Sequence, residues 1–353
     1  MPADDLSGGN RVVATYAGRL QARGHQVLVV SNAPDRPGWR ERWRALRQGR
    51  AATALGRLRP LPGHVALSGV PHRVLDRPRP ITAADLPDAD VVVATWWETA
   101  RWMHALPARK GRPVHLIQGY ETWLGNDTVD QVQATLRLPN RKIAISQALR
   151  LEIEADLGEL GLHVVANAVD LDHFQAPPRA RGTPPTVGFI YSTAAIKGSD
   201  LCLEAIALAR QVVPQLRVCC FGTEPIDPAL PLPAGARHVL RPAQAALPQL
   251  YADCDVWLFG SRRDSFGLPV LEALACRTPV VAVPVGAAPE LLAQGGGVLL
   301  DRADPAAMAR ALLALCTGPE AQWRRQSDLA WQRARACNWD DATDRLLAAL
   351  PTD

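Results

Sequence analysis

Short apolar runs alternate with amphipathic helical periods along most of this 353-residue chain. In the second half, the apolar runs predict strands at 186–191, 216–221, 238–240, 255–259, 279–283 and 297–300. The intervals have helical periodicity, at 199–213, 244–252, 268–276, 286–293, 304–316 and 319–349, the last interrupted near Cys337. Strands that alternate with helices form a parallel sheet covered on both faces. The chain is therefore predicted to be a doubly wound α/β protein.

The first half repeats this alternation less regularly. Predicted strands lie at 26–31, 64–68, 91–95, 114–118, 142–145 and 163–166, and predicted helices at 11–23, 98–107, 130–137 and 147–157. Proline and glycine become dense at 173–185 and periodicity is lost there, which is typical of a linker. The chain is also longer than the length that one hydrophobic core ordinarily supports. We predict an N-terminal Rossmann-like domain at 1–172, a second at 186–335, a cleft between them, and a C-terminal helix at 336–353 that returns to the first domain.

Composition and charge exclude several classes of protein. The net charge of +4 is too small to indicate nucleic-acid binding, so no nucleic-acid partner is expected. Seven cysteines without Cys-x-x-Cys spacing are typical of a reduced, cytoplasmic chain without structural zinc. No signal peptide opens the sequence, and no apolar run has the ~20 residues of a membrane span.

Residues 36–59 carry eight arginines and one acid, Glu41, with Trp39 and Trp43 on the apolar face of a helical pattern. Such a basic amphipathic helix is typical of a membrane-surface contact. The alternative is a solvated helix whose apolar stripe packs on its own domain. The first interpretation predicts peripheral attachment at the inner face of the cell membrane.

Two carboxylates follow the strand predicted at 255–259. A polar loop follows this strand, and a helix begins near Leu268. Asp264 lies in the loop and Glu272 eight residues later in the helix. The backbone N–H groups of residues 265–268 are predicted to face an anion or a sugar hydroxyl. A packed strand–helix–strand unit requires neither acid, so the pattern indicates a binding site.

The run from Asp264 to Ala275, followed by Pro-Val-Val-Ala at 279–282, resembles the Glu-x7-Glu region of glycosyltransferase family 4, which has the GT-B fold. The resemblance implies that Asp264 binds donor-sugar hydroxyls and Glu272 the nucleotide ribose. It also implies backbone donors to sugar and phosphate at Ser265, Phe266, Gly267 and Leu268, and donor binding at Gly222. Asp264 stands where the family usually has glutamate, a departure that could change donor-sugar preference.

The resemblance also implies a reaction. A hexose or deoxyhexose would pass from a UDP, GDP or dTDP sugar to a glycan or lipid-linked acceptor, with retention and without metal or cofactor. Bacterial cell-surface polysaccharide biosynthesis is the implied setting. Two alternatives stay open: a nucleotide-sugar 2-epimerase-like GT-B enzyme, and a non-catalytic GT-B scaffold.

Lys197, which precedes Gly198 and a predicted helix, matches the family lysine that neutralises the donor diphosphate. Such charge stabilisation is what glycosyl transfer requires from a metal-free enzyme. The family commonly has an arginine five residues earlier, where this chain has Ser192. We hypothesise that Arg262 or Arg263, beside the acidic loop, supplies the second charge.

Gly8 and Gly9 resemble the glycine-rich loop that approaches the donor phosphate or acceptor in this family. In the family that loop follows the first strand, and here the first strand of the N-terminal domain is missing from the pattern. A missing central strand would leave its neighbours' backbone groups unpaired. We therefore expect translation to begin upstream of Met1, the alternative being a sheet that lacks this strand.

Aromatic and acidic residues follow two predicted strands of the first half. Trp97 and Glu98 follow the strand at 91–95, and Tyr120 and Glu121 follow that at 114–118. Aromatic rings there suit sugar stacking, and the carboxylates suit an acceptor hydroxyl; packing under loops is the alternative. The Gln-x-Tyr-Glu run is similar to bacterial rhamnosyltransferases.

Several other patterns are interpreted as structural. Asp-x-Asp triplets at 88–90, 170–172 and 253–255 have the spelling of a metal-binding motif, but short acidic patterns arise by chance, so no metal site is predicted. His104 and His115 are expected to be structural.

Overall fold

The computed structural model describes residues 1–34, 43, 62–122 and 125–351. These form two compact units. Unit 1 comprises Met1–Ala144, Ile153–Val165 and Thr343–Asp353, and unit 2 comprises Ile145–Glu152 and Ala166–Ala342. The basic stretch at 36–59 lies outside the described residues except for Trp43. In the described part of the chain, no helix is both long and apolar enough to span a membrane.

Unit 2 is built on one six-stranded sheet, all of whose neighbouring strands are parallel. Its spatial order is β12-β11-β10-β7-β8-β9. The strands are β7 (Thr186–Ile190), β8 (Arg217–Gly222), β9 (Arg237–Leu240), β10 (Val256–Phe259), β11 (Val280–Ala282) and β12 (Gly297–Leu299). All six predicted strands of this half are confirmed to within two residues at each end.

Helices lie between these strands, as the periodicity predicts. They are α6 (Ser199–Val212), α7 (Leu247–Ala252), α8 (Leu268–Ala275), α9 (Ala288–Leu292), α10 (Pro305–Thr317) and α11 (Glu320–Arg335). A final helix, α12 (Trp339–Ala349), follows after the predicted interruption near Cys337. Residues 343–353 group with unit 1, where Arg23 pairs with Asp344 at 3.0 Å.

Aromatic residues fill the centre of unit 2. Trp257 of β10 lies 4.5 Å from Tyr251 and 5.4 Å from Phe221, measured between ring centroids. Burying an aromatic side chain of this size contributes about 1.5–3 kcal/mol. Strand β10, at the centre of the sheet, is therefore held by aromatic packing on one face. The loop that follows β10 thus begins from a rigid strand.

Asp255, from one of the Asp-x-Asp triplets, has a structural role. Its buried carboxylate accepts hydrogen bonds from the Gly182 N–H (2.9 Å), the Thr186 N–H (2.7 Å) and the Arg179 guanidinium (2.8 Å). Arg179 also lies over the Trp323 ring, 4.9 Å from its centroid. Asp255 thus fastens the segment before β7 to the core. Among the described residues, no three His, Cys, Asp or Glu side chains are grouped as metal ligands would be.

Unit 1 contains two parallel sheets in its described part. One pairs β1 (Val29–Ser31) with β2 (His72–Val74). The other has the order β3-β4-β5-β6, with β3 (Val91–Ala94), β4 (Arg112–Ile117), β5 (Arg141–Ala144) and β6 (His163–Val164). Its helices are α1 (Gly8–Ala22), α2 (His64–Ser68), α3 (Trp97–His104) and α4 (Asn126–Leu136). Helix α5 (Gln147–Leu157) contributes residues to both units.

The prediction of a strand at 64–68 is wrong, because this segment forms helix α2. A left-handed Gly69 ends it. The Asp4 carboxylate accepts from the N–H groups of Val65 (3.1 Å) and Ala66 (2.9 Å), which have no partner inside the helix. A five-residue segment with three apolar residues is compatible with either element, and hydrogen bonds to a distant carboxylate favour the helix.

The glycine pair at 8–9 forms the start of a helix. Gly8 and Gly9 are the first two residues of α1, and Ser7 is its N-cap. The prediction of a glycine-rich loop there is therefore wrong in conformation. Within residues 1–34 no strand precedes α1, but Met1 lies beside β1, where its amino group donates to the Val30 carbonyl at 2.7 Å and its carbonyl accepts from Asn32 at 3.1 Å. The expectation of an upstream start stays a prediction.

Candidate functional site

The loop after β10 is the centre of the candidate site in unit 2. It runs from Gly260 to Gly267, where a left-handed glycine (φ +86°) turns the chain into α8. Pro269 lies in the first turn of that helix, where its missing N–H costs nothing. The sequence therefore forms the tight strand–loop–helix junction that was predicted.

Asp264 closes this loop with its own carboxylate. Its Oδ1 accepts from the N–H groups of Phe266 (3.1 Å) and Gly267 (2.7 Å). Two of the four N–H groups predicted to face a ligand are thus bound within the loop, and their role in donor binding stays a prediction. An aspartate can fold back onto the backbone two and three residues ahead, and this geometry is available to the short side chain that replaces the usual glutamate.

Lys197 lies beside this carboxylate. Its Nζ is 3.2 Å from the Asp264 Oδ2, and its side chain is 41% exposed, so the ammonium remains accessible to solvent. It ends a short 3-10 turn, Ala195–Lys197, that leads into α6 through a left-handed Gly198 (φ +63°). A Cβ at position 198 would lie 1.8 Å from the Gly260 carbonyl oxygen. Only glycine therefore allows the turn that carries Lys197 to approach the acidic loop this closely.

The two arginines of the loop are both engaged by carboxylates. Arg262 forms a forked pair with Asp200 (2.7 and 2.6 Å), and this hydrogen bonding lowers the pKa of Asp200. Arg263 pairs with Glu152 at 2.8 Å. Ser192, where the family commonly has arginine, donates its N–H to Ser199 Oγ at 2.9 Å. The hypothesis that Arg262 or Arg263 supplies a second positive charge to the donor diphosphate stays a prediction. Either arginine would have to bind the diphosphate while paired with its carboxylate, Asp200 or Glu152.

Glu272 is held inside unit 2 from helix α8. Its side chain is buried, with the residue 4% exposed. The Tyr251 hydroxyl donates to its Oε2 at 2.7 Å. Tyr251 belongs to α7, and sequence reasoning missed it, since a tyrosine on a short helix has the same pattern whether it packs or orients a carboxylate.

Two further contacts support the loop, and both were missed. The Ser146 hydroxyl donates to the Ser265 carbonyl at 2.7 Å and accepts from the Leu149 N–H at 3.0 Å. The Glu290 carboxylate accepts from the Ala148 N–H at 3.2 Å. The start of α5 is therefore tied to the loop and to α9. A serine before a helix predicts only a cap, so no local signal indicates the bond to Ser265.

Gly222, at the end of β8, has a packing reason to be glycine. A Cβ there would lie 2.1 Å from the Tyr191 carbonyl oxygen, at the end of the neighbouring strand β7. The close approach of these two backbones brings the ends of β7 and β8 together. Its assignment to donor binding stays a prediction.

The strand ends of unit 1 carry the residues predicted for the acceptor. Trp97 is buried at the start of α3, with the Arg101 guanidinium 5.4 Å from its ring centroid, and Glu98 beside it is half-buried. Tyr120 is buried after β4, where its hydroxyl donates to Asp156 at 3.0 Å. Glu121 is also buried. Tyr120 thus has the arrangement expected of a packing residue, and the other roles stay predictions.

Two polar atoms at these strand ends are buried without a hydrogen-bond partner among the described residues. They are the Nε1 of Trp97 and the Oε1 of Gln118. The Gln118 oxygen lies against α1, 3.3 Å from where a Cβ of Gly9 would be. Gly9 therefore leaves room for the Gln118 amide, a contact that sequence reasoning did not anticipate.

Comparison with known proteins finds relatives for both halves of the chain. The model named Glycosyltransferase Family 4 matches residues 6–173, and the model named Glycosyl transferases group 1 matches residues 184–318. Among curated proteins, a D-inositol 3-phosphate glycosyltransferase of Mycobacterium bovis is 31% identical over 256 residues, covering 62% of this chain and 52% of that protein. Its counterpart in Segniliparus rotundus is 30% identical over 208 residues, covering 53% and 46%.

Among solved structures, HepE of Anabaena in complex with UDP and glucose has a TM-score of 0.72 at 17% identity, covering 98% of this chain and 97% of that one. This likeness shows the fold. The chain spans about half the length of the curated relatives named above. With the two models matching consecutive parts of the sequence, the chain belongs to glycosyltransferase family 4 and has the GT-B fold.

Proposed function

We propose that this chain transfers a hexose or deoxyhexose from a nucleotide-diphosphate sugar to a glycan or lipid-linked acceptor, with retention of anomeric configuration and without a metal ion. The observation that carries the proposal is the partly exposed side chain of Lys197, whose ammonium lies 3.2 Å from Asp264 in the loop before α8. Family membership supports it. A UDP sugar is the first donor to test, because HepE has been solved with UDP-glucose.

Lys197 would neutralise the charge that develops on the leaving diphosphate. Breaking the glycosidic bond leaves negative charge on the phosphate oxygens, and a fixed cation stabilises it in the transition state. Ser192 provides no cation at the second family position. The proposal therefore assigns most of the electrostatic stabilisation to Lys197.

Glu272 would accept hydroxyls of the nucleotide ribose. Its buried carboxylate already accepts from Tyr251 on one oxygen, so its orientation is set before the donor arrives. Charge-assisted hydrogen bonds to a buried carboxylate are strong. Because the Glu272 side chain is already ordered, less conformational entropy is lost when the donor binds. Tyr251 is thereby a residue that positions Glu272.

Asp264 would combine two roles. Its contacts with Phe266 and Gly267 shape the loop, and its contact with Lys197 fixes the ammonium. Each carboxylate oxygen has more than one lone pair, so a sugar hydroxyl can still be accepted. Ser265 and Leu268 would supply the backbone donors.

The acceptor would bind at the strand ends of unit 1, with Glu98 or Glu121 contacting its hydroxyl. The Nε1 of Trp97 is buried without a hydrogen-bond partner among the described residues, and we propose that an acceptor oxygen would provide one. The two curated relatives are named for D-inositol 3-phosphate, so a phosphorylated polyol is a reasonable first acceptor alongside glycans.

The setting proposed is cell-surface polysaccharide biosynthesis in the bacterial cytoplasm, with peripheral membrane contact through residues 36–59. Those residues lie outside the described part of the chain except for Trp43. Co-sedimentation with anionic and neutral vesicles tests the contact. Loss of sedimentation when the arginines of 36–59 are changed to glutamine is expected, and equal binding to both vesicle types would contradict an electrostatic attachment.

Calorimetry with a panel of UDP, GDP and dTDP sugars tests the donor proposal. We expect one nucleotide series to bind and Glu272→Gln to weaken it about tenfold, the scale of a lost charge-assisted bond. Arg237→Ala is the control, since Arg237 pairs with Asp253 on the surface of the same unit. No binding by any series would overturn the proposal.

Product analysis tests the reaction itself. Transfer to an added acceptor, with the donor's anomeric configuration seen in the proton coupling of the product, is expected. Formation of an epimerised nucleotide sugar without an acceptor would instead support the epimerase-like alternative.

A further inference from the structure

Arg262 makes contacts on both sides of the turn that carries Lys197. Its Nη1 donates to the Ala195 carbonyl at 2.8 Å, and its own N–H donates to the Ile196 carbonyl at 2.8 Å. Its two terminal nitrogens pair with the two oxygens of Asp200, at the first turn of α6. The Arg262 side chain thus joins the acidic loop to Ala195, before Lys197, and to Asp200, after it.

Further contacts, in addition to those of Arg262, restrict the backbone around Lys197. The Lys197 N–H donates to the Ala194 carbonyl at 2.8 Å. Gly198, in the left-handed region, packs against Gly260 with no room for a Cβ. The direction in which the Lys197 side chain leaves the backbone is therefore set by how the 195–198 turn is held against the loop.

The guanidinium of Arg262 is poorly arranged for a second ligand. A forked pair uses two of its donors in the geometry that matches a carboxylate best, and a third interaction goes to Ala195. These contacts use three of the five N–H donors, so a phosphate could meet only the remaining two, beside the Asp200 carboxylate. The Lys197 Nζ, by contrast, contacts only Asp264 among the described residues, at 3.2 Å, and its side chain is partly exposed.

We propose that Arg262 and Asp200 act together as positioning residues, which hold the 195–198 turn so that Lys197 meets the donor diphosphate, and that Arg262 does not bind the diphosphate itself. This inference rests on the proposed role of Lys197. It revises the hypothesis that Arg262 is the second cation of the donor site.

Asp200→Asn separates the two interpretations by the sign of its effect. The substitution keeps the size of the side chain but removes the charge that holds Arg262. If Arg262 positions the turn, loosening it weakens binding of a nucleoside diphosphate. If Arg262 binds phosphate directly, releasing it from Asp200 frees a cation and strengthens binding.

The experiment is calorimetric titration of UDP, or of GDP or dTDP if the donor panel selects that base, into four proteins: wild type, D200N, K197A and D200N/K197A. We expect D200N to weaken binding about tenfold in the wild-type background, the scale of a disturbed charge-assisted contact, and less than about twofold in K197A. Such non-additivity is the signature of a residue that acts through another. Tighter binding by D200N, or an equal loss in both backgrounds, would overturn the inference.

A charge-swapped protein covers the case in which D200N fails to fold. R262D/D200R restores an ion pair at the same place with the charges exchanged. We expect its affinity within about threefold of wild type, since exchanged partners keep most of an exposed pair's modest energy. A loss as large as that of Arg262→Ala, measured alongside, would overturn the inference, because an ion pair at this place would then not be what holds the turn.

The controls distinguish failure of the inference from failure of the proposed function. If K197A itself leaves nucleoside diphosphate binding unchanged, the proposed role of Lys197 falls, and the inference falls with it. If K197A weakens binding but the D200N effect is additive, only the inference falls. R237A, which breaks the surface pair with Asp253, should behave as wild type in every titration.

Discussion

The loop after β10 in unit 2 and the strand ends of unit 1 differ in how their polar groups are satisfied. In the loop, Asp264 and Arg262 are each bound by partners within the unit. In unit 1, the Trp97 Nε1 and the Gln118 Oε1 are buried with no hydrogen-bond partner among the described residues. Leaving such a group unpaired costs about 1–3 kcal/mol. The polar groups of the loop are therefore already satisfied by the protein, whereas these two atoms of unit 1 carry that cost.

This difference has a functional consequence. A preformed electrostatic site needs no reorganisation when charge develops on a leaving group. A region with unpaired polar atoms discriminates sharply between ligands that can satisfy them and ligands that cannot. The proposed division, with donor chemistry at the loop and acceptor selection at the strand ends, would use this difference.

Lys197→Ala should have the largest effect, at the loop after β10. We expect turnover to fall about 10²–10³-fold, the scale of removing one preorganised electrostatic group. The free energy of unfolding should change by less than about 1 kcal/mol, because a partly exposed ion pair contributes little to stability. Steady-state kinetics with urea unfolding checks both, and Arg237→Ala is the matched control. A large loss of stability would show that the lysine holds the loop together.

Gly198→Ala tests whether the loop is preformed by close backbone packing. The left-handed conformation costs an alanine about 1–2 kcal/mol, and the contact 1.8 Å from the Gly260 oxygen adds overpacking, so we expect about 3 kcal/mol of destabilisation. Gly235→Ala is the control, because Gly235 also has a positive φ (+75°) but nothing within 4 Å of its added Cβ. Equal losses of unfolding free energy in the two variants would mean that backbone conformation alone, and not the approach of the two loops, matters.

Much of the fold could be predicted from the sequence, because the signals are local. Strand β10 and helix α8 are found within a residue or two, since an apolar run, a glycine loop and a proline mark their ends. Helix α2 could not be predicted, because its N-terminal N–H groups depend on Asp4, about sixty residues away along the chain. Local patterns cannot contain such a contact.

The candidate site also has features that the sequence predicts and features that it does not. Spacing predicts Asp264 in the loop before α8 and Glu272 within that helix, and the structure has both residues there. Spacing does not predict that Asp264 folds back onto Phe266 and Gly267, or that Tyr251 orients Glu272. These details arise from side-chain geometry and from packing between elements that are distant in sequence.

A third buried atom without a described partner, the Nδ1 of His115 in β4, allows a test of unit 1 by pH. Burial, with a smaller contribution from Lys142, lowers the pKa of His115 from 6.5 to about 3. Between these values the unfolded chain binds one more proton than the folded one, so stability falls as pH falls below 6.5. Lowering the pH from 7 to 5 should cost about 2 kcal/mol at this residue.

The measurement for His115 is urea unfolding of wild type and His115→Gln at the two pH values. The variant should lose about 2 kcal/mol less than wild type between pH 7 and pH 5. His104→Gln, at an exposed histidine, is the control and should follow the wild type. If His115→Gln keeps the full wild-type loss, the histidine is hydrated in the folded state and the strand end is not as dry as its burial indicates.

Trp97→Phe gives the smallest effect and bears most directly on the difference between the two regions. It removes the unpaired N–H and keeps an aromatic ring, so we expect the KM for the acceptor to rise about tenfold, the worth of one hydrogen bond to a ligand, with the KM for the donor unchanged. Trp257→Phe is the matched control, because Trp257 in unit 2 also has a buried Nε1 without a described partner but lies in the aromatic core. If Trp97→Phe leaves the acceptor KM unchanged, Trp97 only packs, and the unpaired N–H is a tolerated cost of burial that says nothing about a ligand.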